Sequence, residues 1–453
     1  MSSELRKIPL GELTTYKKGF AFKSANYQDK GITVIRVSNF FGDSIDSSDL
    51  KYVSRFIADT NRSVSLKEND IVVATVGSWP NNPLSVVGRT VSVPSWASGA
   101  LMNQNSVIIR SSSANFFDQK FIYYQMKTSA FKNHIISKAQ GSANQASITL
   151  NTIFSYPIWW PDQVTRKKVA EILFKIDCKV TLLQEKNKTL ESIAQILFKS
   201  WFVDFDPVFA KQEGRQPEGM DELTAALFPG NFEQSELGEI PMGWEIKELK
   251  NVFDLFGGQA FKSKDYTSQG IFVLRTNNFK KGIAIKNHND VFLPNSFLDL
   301  YKNFVCEAFD YHLVMVGASI GNTGMILPHL LPALRNQNMW CFRPKNKEVI
   351  SRLYLKFVID KTSKELINFA SGSARDFFKR DDFKNHKLII PTEKILKSYS
   401  KIVDPFLEEI SMNSNKIETL LNLRDILLPR LILGQLRLSG TEEIMNNKTK
   451  VTA

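Results

Sequence analysis

The chain has 453 residues, of which 43% are hydrophobic, and this is enough for two or three globular domains with cores of their own. No run of 18 apolar residues occurs, and residues 1–7 do not resemble a secretory signal, so the sequence predicts neither a membrane span nor export. The formal net charge of +12 favours a polyanionic partner such as nucleic acid.

The first part of the chain is repeated later in the sequence. Residues 19–40 read GFAFKSANYQDKGITVIRVSNF and residues 258–279 read GQAFKSKDYTSQGIFVLRTNNF, with 12 of 22 positions identical and no gap. Asn-Gln-Asn at 103–105 recurs at 336–338, and the offset between the copies falls from 239 to 230 along the chain. The equivalent blocks are therefore 1–161 and 241–391. A period this long indicates a duplicated domain rather than a solenoid.

Each block mixes strand and helix patterns. Short β-branched runs at 32–37 and 271–275, and apolar runs at 70–76 and 312–316 that end at glycine, predict strands. Wider apolar spacing over 121–136 and 353–369 predicts helices. We therefore expect each block to be an α+β domain.

A long heptad segment follows each block, over 162–203 and 392–436. Its seam residues recur at alternating spacings of four and three, which is typical of a coiled coil. The first seam consists of Val169, Leu173, Ile176, Val180, Leu183, Asn187, Leu190, Ala194, Leu197 and Trp201. The second consists of Tyr399, Val403, Phe406, Ile410, Asn413, Ile417, Leu420, Arg424, Leu427 and Leu431.

The two seams can bury each other, and each helix is predicted to be roughly 50 Å long. The alternative is that each helix packs separately on its own domain, although a globular helix rarely keeps a strict period over ten turns. The pattern does not decide whether Asn187 and Asn413 meet, or whether Arg424 points outward at a frayed end. Segment 204–240 is rich in proline and glycine, which predicts a linker with one short helix at 221–227. Residues 437–453 predict a flexible tail.

The sequence shows no convincing catalytic or metal site. It has no phosphate-binding loop, and its five histidines form no metal-ligand pair at helical spacing. Asp162, Glu171 and Lys175 are residue types that a metal-dependent nuclease uses, but they lie at the start of a predicted helix, where charges are normally solvated. The cysteines have no paired spacing and indicate buried thiols in a reducing cytosol; they are Cys178, Cys306 and Cys341.

Polar residues in the two blocks are candidates for contact with DNA, because Lys and Arg neutralise phosphates while Arg and amide side chains read base edges. In the first block they are Lys23, Arg36, Asn39, Asn103, Gln104, Asn105, Lys138, Gln140, Ser142, Asn144 and Gln145. In the second block they are Lys262, Arg275, Asn278, Asn336, Gln337, Asn338, Ser373, Arg375, Lys379 and Arg380. Shared residues can also recur only because both blocks have one fold, so positions that differ are better candidates for sequence choice.

The order of domains and helices, together with three local runs, resembles the specificity subunit of type I restriction–modification enzymes. The runs are LFKSWFVDFDP at 197–207, SELGEIPMGW at 235–244 and LLPRLILG at 427–434. The resemblance covers nearly the whole chain. It implies an α+β fold with a pseudo-two-fold internal repeat: two homologous target recognition domains separated by two long antiparallel coiled-coil helices.

The resemblance also implies a function. Each domain would read one half of a bipartite, asymmetric site in double-stranded DNA, and the helices would set the gap between the halves. The chain would have no catalytic activity. It would recruit two modification (methyltransferase) subunits and, with them, restriction (translocase–nuclease) subunits in a bacterial or archaeal cytoplasm. S-adenosylmethionine, ATP and magnesium would bind to those partners, with no cofactor in this chain.

Two other functions remain open at the level of the sequence. The first is a non-catalytic scaffold in which a coiled-coil strut carries two protein-binding domains. The second is an unrecognised nuclease that uses Asp162. Basic charge and amide-rich loops argue against the scaffold, because they suit a nucleic-acid partner better.

Overall fold

The structure is a computed structural model of the chain. It describes residues 7–79, 87–142, 145–280, 282–287, 289–317, 319–370 and 378–434, so the predicted tail at 437–453 lies outside the described residues. The chain divides into two compact units. Unit 1 consists of residues 1–181 with 419–453, and unit 2 consists of residues 182–418.

Unit 1 contains an α+β domain and one end of each long helix. Its strands are β1 (Lys7–Pro9), β2 (Thr14–Lys18), β3 (Ile32–Ile35), β4 (Phe40–Phe41), β5 (Ser44–Ile45), β6 (Lys51–Val53), β7 (Ile71–Ala74), β8 (Val76–Gly77), β9 (Thr90–Ser92), β10 (Leu101–Met102), β11 (Ser106–Ser111), β12 (Gln140–Ser142), β13 (Gln145–Ser147) and β14 (Pro157–Trp159). Its helices are α1 (Leu10–Leu13), α2 (Arg55–Thr60), α3 (Phe116–Met126), α4 (Ser129–Ser137) and α5 (Leu150–Phe154), followed by α6 (Gln163–Phe202), which continues into unit 2 at Leu182.

The central sheet of unit 1 has the order β2-β11-β7-β9, and every neighbouring pair is antiparallel. Side chains alternate between its two faces, as the pleat of a strand requires. On one face Ile71 and Val73 pack with α3 and the ends of the long helices. On the other face Val72 and Ala74 pack against a second, smaller core. Both faces are therefore covered.

Unit 2 contains the second α+β domain and the remaining parts of the long helices. Its strands are β15 (Phe232–Ser235), β16 (Gly238–Pro241), β17 (Glu245–Glu248), β18 (Phe253–Gly257), β19 (Ile271–Leu274), β20 (Phe279–Lys280), β21 (Gly282–Ala284), β22 (Phe292–Leu293), β23 (Tyr311–Val314), β24 (Thr323–Met325), β25 (Ala333–Arg335), β26 (Met339–Pro344) and β27 (Lys387–Ile390). Its helices are α7 (Asp206–Gln212), α8 (Glu222–Ala226), α9 (Leu249–Val252), α10 (Phe297–Leu300), α11 (Arg352–Ala370), α12 (Arg380–Lys384) and α13 (Glu393–Ile432), which leaves unit 2 after Glu418.

The second domain repeats the strand pairing of the first. The order β18-β26-β23 matches β2-β11-β7, and the parallel pair β19–β25 matches the parallel pair β3–β10. A partly buried ion pair recurs as well. The Arg110 guanidinium donates to both carboxylate oxygens of Asp70 at 2.7 and 2.6 Å, and Arg343 donates to both oxygens of Asp310 at 2.7 and 2.5 Å. The internal repeat predicted from the sequence is confirmed.

Two predicted elements differ from the structure. The helix predicted over 121–136 is two helices, because Thr128 follows α3 and its hydroxyl caps α4 by accepting from the Phe131 N–H at 3.3 Å. Segment 204–240 contains the predicted short helix as α8, and it also contains α7 and all but the last residue of the β15–β16 hairpin. Val208 and Phe228 from this segment are buried in the core of unit 2.

The long helices α6 and α13 run antiparallel within each unit. In unit 2 Asn187 contacts Asn413, and Ala194 accepts a hydrogen bond from the Tyr399 hydroxyl. In unit 1 Asp177 contacts Arg424. Residue numbers therefore rise along one helix as they fall along the other, which confirms the antiparallel pair over separate packing. Every residue of the two predicted seams is buried or half-buried.

The open question about the polar seam residues is also answered. Asn187 and Asn413 meet, and the Arg424 side chain, only 13% exposed, pairs with acidic groups instead of pointing outward. No helix among the described residues combines the length and hydrophobicity that a bilayer span requires.

Candidate nucleic-acid interface

A glycine in each domain lets a loop lie directly against the Asn-Gln-Asn turn. A Cβ atom on Gly19 would lie 1.9 Å from the Asn103 carbonyl oxygen, and one on Gly258 would lie 1.8 Å from the Asn336 carbonyl oxygen. Only glycine permits so close an approach of two backbones. The repeated glycines therefore bring two polar loops together at the same place in both domains.

Backbone hydrogen bonds add a third segment at this place. In the first domain the Thr75 N–H donates to the Asn105 carbonyl at 2.8 Å, and the Ile148 N–H donates to the Thr75 carbonyl at 2.9 Å. In the second domain Met315 donates to Asn338 at 3.0 Å and Phe378 donates to Met315 at 2.9 Å. Both domains thus join the same three segments with the same bonds.

In the first domain this place is one end of the central sheet. Strand β2 starts beside α1, near the β1–β14 pair that precedes α6, and it ends at Lys18, immediately before Gly19. The loops therefore meet at the end of the sheet away from the start of α6. The β12–β13 hairpin extends the same end, because β13 pairs with β8, which follows Thr75 directly.

We call the polar side chains at this end of each domain the tip surface. In the first domain it comprises Lys23, Gln104, Asn105, Lys138, Gln140, Ser142 and Gln145, all exposed or half-exposed. In the second domain it comprises Lys262, Asn336, Gln337, Asn338, Lys379 and Arg380, also exposed or half-exposed. The Arg380 guanidinium is held by the Leu255 carbonyl at 2.6 Å. Asn144, Ser373 and Arg375 lie outside the described residues.

Four shared candidates have structural partners within their own domains. The Asn39 side-chain oxygen accepts from the Arg36 N–H at 3.0 Å, and the Asn278 side-chain oxygen accepts from the Arg275 N–H at 2.9 Å. Both asparagines are buried, and their amide N–H groups also bond within their own domains. Because these groups are already paired, we leave the four residues out of the tip surface.

The arginine side chains in this turn have acidic or carbonyl partners. Arg36 donates to an Asp49 carboxylate oxygen at 2.9 Å, and this bond lowers the pKa of Asp49. Arg275 donates to the Asn289 carbonyl in the equivalent place. Asn103 is buried as well, and its amide donates to the Tyr27 hydroxyl at 3.4 Å. The shared fold is therefore enough to explain why these residues recur.

Two lysines beside the tip surface were not found from the sequence. Lys17 and Lys18 are exposed at the end of β2, immediately before Gly19, and Lys18 lies opposite Val107 of β11. Lysines within a short polar strand form no motif, and only the strand pairing shows which end of the sheet they occupy. They extend the positive charge available to phosphates.

One set of potential metal ligands occurs among the described residues. Cys306, Asp310 and His312 are buried with ligand atoms within 4.8 Å of one another. Burial lowers the pKa of His312 to about 4, so the ring is neutral at physiological pH. The Asp310 carboxylate, however, is held by Arg343, and the first domain has the matching pair without the other two ligands. The aspartate belongs to the fold, and we assign no metal site here.

The residues of the nuclease alternative also have structural partners. Asp162 accepts from the Thr165 N–H at 3.0 Å and from its hydroxyl at 2.6 Å, which caps the start of α6 and lowers the pKa of the aspartate. Glu171 and Lys175 pair with each other at 2.8 Å one turn apart. These contacts explain all three residues without a catalytic role.

The chain contains two copies of one α+β domain, each connected to a long heptad helix and each carrying different polar groups on its tip surface. This architecture is that of a protein that recognises DNA with two domains. Residues 3–192 and 241–422 match the family described as type I restriction modification DNA specificity domain, and the chain belongs to this family. Such chains are the specificity subunits of type I restriction–modification systems. They recognise DNA, and catalysis lies in partner subunits.

Known relatives cover most of the chain. The specificity subunit of the type I restriction enzyme HindI from Haemophilus influenzae is 25% identical over 419 residues, which is 82% of this chain and 87% of that protein. The MjaIX specificity subunit from Methanocaldococcus jannaschii is 26% identical over 70% of this chain and 69% of its own length. The crystal structure of an S subunit from M. genitalium covers 95% of this chain and 97% of its own with a TM-score of 0.52 and 16% identity, which shows the shared fold.

Proposed function

We propose that each domain reads one half of a bipartite, asymmetric site in double-stranded DNA through its tip surface. The observation that carries this proposal is the shared frame: the same glycine contact and the same backbone bonds present polar loops at one end of both domains. Amide side chains pair with base edges and lysines neutralise phosphates. Two domains that share a backbone arrangement but differ in their exposed side chains are suited to recognising two different DNA sequences.

The paired helices set the unread gap between the two halves in this proposal. Each helix is 40 residues long, or roughly 60 Å at the usual rise per residue. The Asn187–Asn413 contact supports this role, because a polar pair in an apolar seam specifies one register. A fixed register gives the helix pair one length.

We further propose that the outer faces of the helices dock two modification (methyltransferase) subunits, which in turn bring the restriction (translocase–nuclease) subunits. Leu182, Ile193 and Ile196 of α6 are 56%, 41% and 66% exposed. Their spacings of eleven and three place them on one face of the helix, next to the buried seam. S-adenosylmethionine, ATP and magnesium bind in those partners, and the assembly works in a bacterial or archaeal cytoplasm.

The test of DNA reading uses the complex of this chain with its modification subunits. The methylated sequence is identified by sequencing, and affinity is then measured for that sequence and for versions with either half scrambled. We expect scrambling either half to weaken binding, and affinity to fall steeply with salt. Lys23→Ala and Lys262→Ala should weaken binding to all sequences and reduce the salt slope by about 1 each. Equal affinity for intact and scrambled DNA would instead support the scaffold.

The gap-setting role has a separate test. One heptad is removed from each helix, taken from the two segments that meet at Asn187 and Asn413, so that the seam stays in phase. We expect a changed gap in the methylated sequence with both half-sites unaltered. An unchanged gap would contradict the proposal that the helices set the spacing between the half-sites.

A further inference from the structure

We propose that residue 20 in the first domain and residue 259 in the second are one specificity-determining position. At this position Phe20 makes an apolar contact with a base edge, while Gln259 reads a base through its amide. The inference rests on the proposed function, and it names a position beside each tip surface that determines which base is recognised.

The two residues occupy the same place in their domains. Each follows the glycine that lies against the Asn-Gln-Asn turn, and each is followed by the same four residues, Ala-Phe-Lys-Ser. Phe20 forms a parallel bridge with Asn103, and Gln259 forms a parallel bridge with Asn336. With the same adjoining residues and the same bridge to the Asn-Gln-Asn turn, the two positions differ chiefly in their side chain.

The side chain at this position has no role in the core. Phe20 is 43% exposed, whereas Phe22, two residues later, is 7% exposed and sits in a hydrophobic cluster. The two rings pack edge to face with their centroids 5.0 Å apart, so the buried Phe22 ring holds the Phe20 ring in position. An aromatic ring that is held in place and still exposed can contact a ligand without first being ordered.

The side-chain amide of Gln259 is available for hydrogen bonds to a base. Its side-chain N–H donates to the Ala260 carbonyl at 3.3 Å, which is a long bond to the next residue. The amide oxygen accepts no hydrogen bond from any residue that the structure describes. An amide of this kind pairs with adenine through one donor and one acceptor, whereas an aromatic ring packs on the methyl group of thymine.

An exposed lysine that could contact a phosphate lies close by in both loops. Lys23 and Lys262 follow three residues after the proposed position, and both are exposed. A lysine neutralises a phosphate without regard to sequence, so it positions the loop on the duplex. The differing residue beside it then supplies the choice of base.

The test exchanges the two side chains in the complex with the modification subunits. Phe20→Gln and Gln259→Phe are made singly, and the methylated sequences are read by methylation-sensitive sequencing. We expect Phe20→Gln to change base preference by about tenfold at one position of one half-site, with the other half-site and the gap unchanged. Gln259→Phe should do the same in the other half-site.

A matched control places the same change elsewhere in the first domain. Trp96 is 46% exposed, and its turn follows Val93, which bonds to Asp70 just before the start of β7, away from the tip surface. Trp96→Gln should therefore leave every base preference as in the unmodified chain. A changed half-site in this control would show that the assay reports disturbed folding and would overturn the assignment.

The outcomes separate the two proposals. If the unmodified complex recognises no bipartite site, the proposed function fails. If it does, and both exchanges leave all base preferences unchanged, only the inference about this position fails. Should Phe20→Gln not assemble with the modification subunits, Phe20→Leu keeps an apolar side chain and reads the same position; a lowered preference at one base supports the inference, and unchanged preferences overturn it.

Discussion

At the residue scale, the structure predicts different effects of alanine substitution at the neighbouring residues Gly257 and Gly258. A Cβ atom at Gly257 meets nothing within 4 Å, whereas one at Gly258 would lie 1.8 Å from the Asn336 carbonyl oxygen. Gly258→Ala must push the loop away from the turn, with an expected loss of about 1–3 kcal/mol in the free energy of unfolding and weaker DNA binding. Urea denaturation and DNA binding measure both effects.

Gly257→Ala is the control, and we expect it to change the free energy of unfolding by less than about 0.5 kcal/mol. Similar losses for the two substitutions would show that the close approach at Gly258 does not support the tip surface.

The polar layer in the helix seam gives a second prediction at this scale. The Asn413 amide donates to the Asn187 side-chain oxygen at 2.9 Å, and Asn187 donates to the Ser414 hydroxyl at 3.2 Å. Asn413→Ala leaves Asn187 partly unpaired in a buried seam, with an expected cost of about 1–3 kcal/mol. Replacing both asparagines by leucine should make unfolding less favourable than in the unmodified chain, because an apolar seam is more stable.

In the double leucine variant we expect the two helices to pair in more than one register. This should appear as heterogeneous gap lengths in the methylated sequences. A double variant that is less stable than Asn413→Ala would contradict this interpretation of the layer.

At the element scale, Arg424 attaches the end of α13 to the first domain. Its guanidinium lies 2.6 Å from an Asp43 oxygen and 3.0 Å from an Asp177 oxygen, and the Tyr124 hydroxyl donates to Asp177 at 2.7 Å. Arg424→Met leaves two half-buried acidic groups without this partner, and the expected loss is about 1–3 kcal/mol, between the values for exposed and fully buried pairs. Denaturation of the variant chain measures the loss.

Asp425 provides the matched control for this cluster. It also contacts Arg424, at 3.1 Å, but its side chain is 64% exposed. Exposed pairs contribute at most about 1 kcal/mol, so Asp425→Ala should be nearly neutral. Equal effects of Arg424→Met and Asp425→Ala would contradict the attachment role.

The same cluster predicts how stability depends on pH. Burial alone would raise the pKa of Asp43, but the charges of Lys127 and Arg424 outweigh it and hold the pKa below the ordinary value of 3.8. The stabilisation is therefore complete above that ordinary value and is lost as the pH falls through the lowered one. Without Arg424 the pKa of Asp43 shifts up towards its ordinary value, so the stability that the chain loses on acidification below that value should be smaller. Thermal unfolding from neutral to acidic pH, with and without Arg424→Met, measures this shift.

At the scale of the whole molecule, periodic and repeated features were predictable from the sequence. The seam was found because a seven-residue period alone defines the buried face of a long helix, as Val403 and Leu173 show. The roles of repeated residues were harder to predict. Arg36 and Asn39 recur in the second domain whether they close a turn or read a base, and the sequence does not show the hydrogen bonds by which they close the turn.

The residues of the tip surface were candidates from the sequence, but their gathering at one end of each domain was not predictable, for a related reason. The tip surface is formed by bonds between residues far apart in sequence, such as Thr75 with Asn105, and no local pattern reports such pairing. The side-chain environment of Arg424 was not predictable either. A charged residue at a seam position predicts an exposed helix end, and the sequence does not show that Asp43 is its partner.

The most direct measurement exchanges residues 1–161 for the first domain of a family member that recognises a different sequence. The chimeric chain is assembled with the modification subunits, and its methylated sites are sequenced beside those of the unmodified complex. Because each domain carries its own tip surface on its own frame, the account predicts that one half-site changes while the other half-site and the gap stay the same. A change in both half-sites, or in neither, would contradict it.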